Sequence, residues 1–264
     1  MKIKNFQLNS EQVPNTEKKK IIDRAVLQAL LLTDDSVIPK RNQISFASTS
    51  EALIKQFCDL ISSVYGYRIK KIGKGKSTKQ QLHLVQLRSK SICSDLLSDI
   101  PSYRTAPFRD GSYPKTIIPK TWSEFGNNEI ATILRTIFDT EGGCSLRIVY
   151  RKDRKCLEIK REIFLSCCHP TLKEQYRQLL NKLGINCSEY PEKIVITSKK
   201  HFERFRDFIN FSENVKVGHD SKHWCGIEKR ELLDIMINSY DIFHGLLQKF
   251  DKEQAYSLIR PPLR

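Results

Sequence analysis

An internal repeat constrains the fold of this 264-residue chain more than any other feature of its sequence. One offset of 107 residues aligns the apolar stretch 25–34 with the stretch 132–141, which ends 107 positions after the first. Apolar positions align with apolar positions, small residues with small residues, and the last pair is acidic, Asp34 with Glu141. Self-similarity at a fixed spacing is typical of a duplicated structural unit. We therefore predict two related halves in one chain.

Each aligned stretch is predicted to be a helix with small residues at every fourth position. Residues at this spacing share one face of a helix, and small side chains allow two helix backbones to approach closely. We expect the two helices to pack through these faces, which would bring their C-terminal ends together. Two unrelated core helices are the alternative. The predicted interface residues are Ala25, Ala29, Thr33, Thr132, Thr136 and Thr140.

Asp34 and Glu141 each follow the last small residue, where the apolar helix is predicted to end. An acid there is unfavourable against the helix dipole, so two such acids at equivalent positions favour a functional role over ordinary surface acids. Two close carboxylates repel each other unless a cation lies between them. Carboxylate oxygens hold Mg²⁺, and a bound metal can activate water for phosphodiester hydrolysis. We predict a site here for Mg²⁺ or another divalent cation such as Mn²⁺.

Composition indicates a folded, basic protein with a polyanionic partner. The formal net charge is +15, and 39% of the residues are hydrophobic, which argues against a disordered basic tail. The eight cysteines form no CxxC pair, so a structural zinc site is not expected, and Cys167-Cys168-His169 is interpreted as the end of a buried strand. Reduced thiols and the absence of a signal-like or membrane-spanning stretch predict an intracellular protein, in an organelle or a prokaryotic cytoplasm.

The hydrophobic pattern predicts the order helix, strand, strand, helix, strand, strand, helix in each half, and hence an α+β fold. Strands are expected at 37–40, 43–48, 67–72 and 81–88 in the first half, and at 145–150, 157–166, 188–190 and 193–197 in the second. Helical stretches are expected to close the chain from 227 to 250. We predict an N-terminal extension (1–19), a first repeat (20–100), a proline-containing linker over the surface (101–126), a second repeat (127–250) and a C-terminal tail (251–264).

At the level of motifs, Leu27–Ser36 (LQALLLTDDS) and Leu134–Gly143 (LRTIFDTEGG) resemble the two copies of the LAGLIDADG motif. From about residue 20 to residue 250 the chain resembles a monomeric, two-repeat LAGLIDADG homing endonuclease. The resemblance implies two pseudo-twofold related αββαββα repeats with saddle-shaped antiparallel sheets and motif helices packed at the interface. It also implies that Asp34 and Glu141 bind the catalytic metal. Asp35, where a glycine commonly follows the acid, departs from the motif, as do Ala29 and Thr136 at a position where glycine is frequent.

The resemblance further implies a basic residue near each metal site, late in each repeat. The 107-residue offset pairs Lys115 with Lys222 for this role, with Lys120 and Lys216 as alternatives.

In proteins of this kind the strands lie in the DNA major groove, where Arg and Lys can read guanine and Gln or Asn can read adenine. We expect Arg68 and Lys70 to face Gln81 and His83, and the loops 74–79 and 151–155 to meet phosphates. The candidate DNA-binding residues are Gln43, Arg68, Lys70, Gln81, His83, Arg147, Arg151, Lys160, Arg161 and Lys193.

Three functions remain open at this point. The first is a site-specific endonuclease that hydrolyses both strands of double-stranded DNA at a long asymmetric site. The second is a non-cleaving protein of the same fold, either an intron RNA-splicing maturase or a DNA-binding regulator. The third is a basic scaffold or ribosome-associated protein, against which the paired acids argue. None of the three involves a membrane, and the target site and the host element, an intron or an intein, are left open.

Overall fold

Two consecutive units with the same order of helices and strands make up most of the chain. The computed structural model describes residues 15–33, 37–76, 81–153, 155–242 and 252–259. The first unit contains α1 (Asn15–Thr33), β1 (Val37–Ile38), β2 (Gln43–Ser48), α2 (Glu51–Tyr65), β3 (Gly73–Lys76), β4 (Gln81–Arg88) and α3 (Lys90–Asp99). A short helix, α4 (Thr121–Glu124), lies between the units. The second unit contains α5 (Asn127–Glu141), β5 (Gly142–Arg151), β6 (Cys156–Ser166), α6 (Pro170–Lys182), β7 (Ser188–Tyr190), β8 (Lys193–Ile196) and α7 (Lys199–Phe208), and is followed by α8 (Lys229–Ile242) and α9 (Lys252–Ile259).

Each unit has one four-stranded antiparallel sheet, and the two sheets have the same topology. The strand order is β1-β2-β4-β3 in the first and β5-β6-β8-β7 in the second, so the second and fourth strands of each unit lie side by side. The α+β fold with two αββαββα repeats is therefore confirmed. The assignment of residues to an extension, linker and tail stays a prediction.

Helix α2 shows how the hydrophobic pattern builds this core. Its six buried residues are apolar and recur at three- and four-residue spacings, and Gly66, whose φ of 65° favours a residue without a side chain, follows the last residue of the helix. Phe57 of α2 stacks on Phe46 of β2, with ring centroids 5.2 Å apart. In the second unit, Phe138 of α5 meets Phe205 of α7 edge to face at 4.9 Å. Aromatic pairs thus join helix to sheet in one half and helix to helix in the other.

Helices α1 and α5 pack against each other, as the small residues at every fourth position predict. Ala29 and Thr136 are buried, with exposed fractions of 0% and 1%. The threonine hydroxyls do not remain unpaired at this contact, because Thr136 donates to the Thr132 carbonyl at 3.1 Å and Thr140 to the Thr136 carbonyl at 3.1 Å. Bonds of this kind within one helix leave the apolar methyl groups for packing. The interface can therefore contain threonines without burying an unsatisfied polar group.

The expected strand at 67–72 is wrong, because the structure has β3 at Gly73–Lys76 instead. Consequently His83 pairs with Lys74, and Gln81 with Lys76, while Arg68 and Lys70 lie outside the sheet. Gly73 and Gly75 lie opposite Leu84 and Leu82. A Cβ at Gly73 would lie 3.4 Å from the Leu84 carbonyl oxygen, and a Cβ at Gly75 would lie 3.7 Å from the Leu82 Cβ.

Residues 101–126 pack into the core to a greater extent than a surface linker would. Tyr103, Ile118 and Trp122 are buried, and the Ile118 amide donates to the Gln175 side chain of α6 at 3.1 Å. His169 also binds this segment, because its Nε2 lies 2.9 Å from the Pro114 carbonyl oxygen while its Nδ1 accepts from the Leu172 amide at the start of α6. The sequence pattern did not predict this anchoring, because prolines and scattered basic residues conceal the few apolar contacts.

All eight cysteines lie in the described ranges, and none forms a disulfide. None of the helices in the described ranges is both long and apolar enough to cross a membrane.

Substituting Ala29→Leu should destabilise the protein by about 1–3 kcal/mol, because Ala29 is fully buried and a larger side chain would overpack the core around it. Urea unfolding would measure this effect, with the exposed substitution Lys20→Leu on the same helix as the control. Equal midpoints for the two variants would contradict close packing at Ala29.

Candidate active site

Glu141 is the last residue of α5, and the chain enters strand β5 at the next residue. Gly142 makes this direct transition possible. A Cβ there would lie 2.6 Å from Phe138 Cδ1 and 2.8 Å from Phe138 Cα, which is closer than a side chain tolerates. Glu141 is therefore held at a fixed junction between helix and strand.

The C-terminal ends of α1 and α5 border one cavity of about 290 Å³. Leu32 and Thr33 line it from α1, and Ile137 and Glu141 line it from α5. At the opposite end of the helices, Lys18 of α1 forms an ion pair of 3.2 Å with Glu129 of α5. The two helices thus run side by side in the same direction. Asp34, the other predicted metal ligand, follows Thr33 in sequence and lies outside the described residues.

A second cavity, of about 390 Å³, opens beside Glu141 between the two repeats, and we call it the junction cleft. Residues of β2 and the start of α2 line it from the first repeat, and the α5–β5 junction and residues 215–218 line it from the second. Glu141, Lys216 and Lys229 all border this cleft. It is the place where a carboxylate and two lysines of the second repeat meet the first repeat.

Lys216, rather than Lys115 or Lys222, shares the cleft with Glu141. Lys115, Lys120 and Lys222 are exposed and are not among the residues that line either cavity around Glu141. The 107-residue offset does not predict which lysines lie near Glu141, because the segments that follow the last helix of each repeat have different structures. Residues 101–126 after the first repeat pack into the core, whereas Lys216 after α7 forms an isolated antiparallel bridge with Glu228.

Lys229 is a buried residue of the junction that the sequence patterns did not single out. Its ammonium donates to the carbonyl oxygens of Asp139 at 2.7 Å, Gly142 at 2.6 Å and Phe138 at 3.3 Å. These bonds satisfy carbonyls at the C-terminal end of α5 and place a positive charge at the negative end of the helix dipole. Burial lowers the pKa of the Lys229 ammonium, and the nearby Asp139 carboxylate opposes that shift.

Asp139 lies two positions before Glu141 and is 2% exposed. Its Oδ1 accepts a hydrogen bond from the Ser212 amide at 3.0 Å, and burial raises the pKa of its carboxyl group. Asp139 aligns with Leu32 of the first motif. An acid at a position that is apolar in the other repeat was the sequence signal that could have indicated a buried basic residue nearby, such as Lys229.

Strand register divides the candidate DNA-binding residues of the second repeat between two faces of the sheet. Arg147 pairs directly with Lys160, and residues at alternate positions place Arg151 and Lys193 on the same face. Arg161 lies on the opposite face. Its guanidinium donates to Ser239 Oγ at 2.7 Å and lies 4.1 Å from the Tyr240 ring centroid, so it joins β6 to α8.

Acidic residues share the outer face of this second sheet. Glu162 forms ion pairs with Arg147 at 2.9 Å and with Lys193 at 3.3 Å, and Arg151 pairs with Glu158 at 3.0 Å. Lys160 is exposed and has no ion-pair partner in the part of the chain that the structure describes. The number of Lys and Arg residues in these strands therefore overstates the positive charge that this face can offer to a polyanion.

In the first repeat, Gln81 and His83 lie on the same sheet face as the buried Phe46 and Val85, because directly paired residues share a face. His83 Nε2 lies 3.6 Å from Glu51 at the start of α2. Gln43 lies on the outer face of the sheet and is 7% exposed.

The exposed outer-face residues of β4 in this sheet are Gln86 and Arg88. The alternation at the end of Gln81–Arg88 (QLHLVQLR) could have identified them, since Val85 before Gln86 and Leu87 before Arg88 are buried.

No protein-family model matches the chain, and no curated protein matches it significantly. Among solved structures, it is similar to a mesophilic variant of the homing endonuclease I-DmoI (TM-score 0.45, 16% identity, 72% of this chain and 96% of that chain covered). It is similar to I-DmoI in complex with DNA and Ca (TM-score 0.46, 16% identity, 76% and 95% covered). It is also similar to full-length DUF199/WhiA from T. maritima (TM-score 0.48, 15% identity, 92% and 70% covered).

Substituting Gly142→Ala should lower the free energy of unfolding by about 1–3 kcal/mol, because the new methyl group would overlap Phe138. Denaturant unfolding followed by circular dichroism would measure it. Gly218→Ala is a matched control, since nothing lies within 4 Å of a Cβ there. A Gly142→Ala variant as stable as the control would contradict the close approach at the junction.

Proposed function

We propose that this chain is a metal-dependent DNA endonuclease that acts as a monomer on both strands of a long asymmetric site. One observation carries the proposal: the C-terminal ends of two parallel, closely packed helices border one cavity, and Glu141 lies there. Each helix is followed or ended by an acid, Asp34 in the first repeat and Glu141 in the second. This arrangement supplies one carboxylate for each DNA strand.

The residues at this end of the helices suit a hard divalent cation. Glu141 is half-buried and borders the junction cleft, and Asp34 provides the second carboxylate in sequence. Although the described residues contain no group of three His, Cys, Asp or Glu side chains placed for a metal, Mg²⁺ usually takes only one or two carboxylates, with substrate phosphate and water as its other ligands. We assign Asp34 and Glu141 to hold Mg²⁺ or Mn²⁺. The bound ion would activate water and stabilise the leaving oxygen.

Lys216 is the basic residue that we assign to the reaction in the second repeat. It is exposed and borders the cleft that contains Glu141. An ammonium at this position can stabilise the negative charge that develops on the phosphate in the transition state. Lys115 and Lys222, which the repeat offset selects, are less suitable because they are not among the residues that line this cleft.

Double-stranded DNA would lie on the outer faces of the two sheets. The proposed contacts are Gln86 and Arg88 in the first repeat and Arg147, Lys160 and Lys193 in the second. These side chains differ between the repeats, which favours an asymmetric target. The formal charge of +15 supports binding to a polyanion, and contacts to phosphate make such binding dependent on salt.

A non-cleaving protein that binds DNA or intron RNA is the second candidate. Asp35 favours this candidate. It stands at the motif position that Gly142 occupies in the second repeat, where a side chain would overlap Phe138. Metal-independent binding to intron RNA without nicking of any DNA would support this candidate and contradict the endonuclease.

The double substitution Asp34→Asn with Glu141→Gln should abolish cleavage, with a loss on the order of a thousandfold, because the metal's several kcal/mol of transition-state stabilisation would be removed. The measurement is linearisation of a randomised plasmid library with Mg²⁺, followed by sequencing of the cut sites. DNA binding should persist. The control is Glu192→Gln, which removes another acid at the cavity shared by the two helix ends. Unchanged cutting by the double variant would exclude these acids as the metal ligands.

Substituting Lys160→Ala should weaken DNA binding and reduce the slope of log K against log salt by about 1, because one phosphate contact is lost. Fluorescence anisotropy at several salt concentrations would measure the slope. Arg161→Ala is the comparison on the opposite face of the same strand: it should lower stability through loss of the Ser239 and Tyr240 contacts and leave the slope unchanged. Equal slope changes would contradict the assignment of the DNA-binding face.

A further inference from the structure

We propose that Lys229 and Asp139 form a buried positioning pair that fixes Glu141 and Lys216 relative to each other. The inference rests on the proposed function, because it assigns these two residues to the same reaction. Neither Lys229 nor Asp139 needs to touch substrate in this role.

Lys229 joins two parts of the site through different atoms. Its Nζ donates to three carbonyls around the end of α5, including Gly142 on the far side of Glu141. Its backbone amide donates to the Val215 carbonyl at 2.8 Å. The preceding residue, Glu228, forms the antiparallel bridge with Lys216. One residue therefore holds the junction that carries Glu141 and also the backbone that carries Lys216.

Asp139 provides a second connection between the same two parts. From within α5, its Oδ1 accepts from the Ser212 amide at 3.0 Å, at the start of the segment that leads to Lys216. Its Oδ2 is buried and has no hydrogen-bond partner among the described residues. An unpaired buried oxygen is costly, and the nearby Lys229 charge offsets part of that cost. A buried charge is costly unless polar groups surround it, so the Lys229 ammonium depends on the three carbonyls that it contacts at the end of α5.

The first repeat lacks the acidic member of this pair. In the aligned motifs Leu32 stands at the position of Asp139, and Leu32 is buried and apolar. An apolar residue is therefore compatible with this position of the motif helix, and it avoids the desolvation cost of a buried carboxyl group. This asymmetry points to a role in the site.

Hydrogen exchange followed by mass spectrometry tests the coupling without any nuclease activity. In Lys229→Met, amides at 142–144 and at 213–217 should both exchange at least tenfold faster, whereas amides of β4 should not change. Lys173→Met is the matched control. Lys173 is equally buried, at 8% exposed, and donates to two carbonyls, those of Tyr190 and Pro191, away from the cleft. Retained protection in either of the two cleft segments would overturn the proposal.

Asp139→Asn gives a second test if Lys229→Met does not fold. This substitution retains the side-chain volume and the acceptor for Ser212 but removes the charge. It should accelerate exchange at 213–217 by at least threefold, and unchanged exchange there would count against the pair.

The cleavage assay separates a positioning role from a merely structural one. Lys229→Met should raise the Mg²⁺ concentration for half-maximal cutting at least fivefold, Lys229→Arg should restore it in part, and Lys173→Met should leave it unchanged. A normal Mg²⁺ requirement in Lys229→Met would overturn the positioning role. If the unmodified chain cuts no DNA with any divalent cation, the proposed endonuclease fails, and the exchange results still decide whether the pair couples the two segments.

Discussion

The close contact between α1 and α5 is the constraint on which the rest of the structure depends. The two helices pack against each other, Ala29 and Thr136 are buried, and internal hydrogen bonds satisfy the threonine hydroxyls of α5. Because both helices run in the same direction, their C-terminal ends reach the same cavity. Each sheet starts within a few residues of one of these ends. The position of the candidate site and of both sheets therefore follows from one helix pair.

The end of α5 shows how the fold places a carboxylate where local physics disfavours it. A negative side chain at a helix C-terminus is repelled by the helix dipole and by the last carbonyls. Here the Lys229 ammonium donates to three carbonyls around this end, and Gly142 allows the chain to turn at once into β5. Glu141 can then occupy the junction because Lys229 provides positive charge from a distant part of the chain and the adjacent Gly142 permits the tight backbone turn.

Strand pairing determined which basic residues can act together. Arg147 and Lys160 are thirteen positions apart in sequence and lie directly opposite each other, whereas Arg161 is adjacent to Lys160 and faces α8. A shift of one position changes the face of the sheet, so composition alone cannot assign a surface. The same effect separates Gln86 and Arg88 from Gln81 and His83 in the first repeat. The charge of +15 indicates a polyanionic partner, but the register decides where such a partner can bind.

The sequence by itself determined the duplication, the αββαββα order and the packing of the two helices, because these depend on hydrophobic period and residue size along short stretches. It also indicated the acids at the helix ends. Only the tertiary structure decided that Lys216 borders the cleft and that Lys229 reaches the end of α5, about ninety residues earlier in the chain. Contacts over that separation depend on how the segment 209–228 folds, and no local period encodes it. The position of β3 was missed because its residues, Gly73–Lys76, alternate glycine with lysine and so contain no hydrophobic side chain that a pattern could reveal.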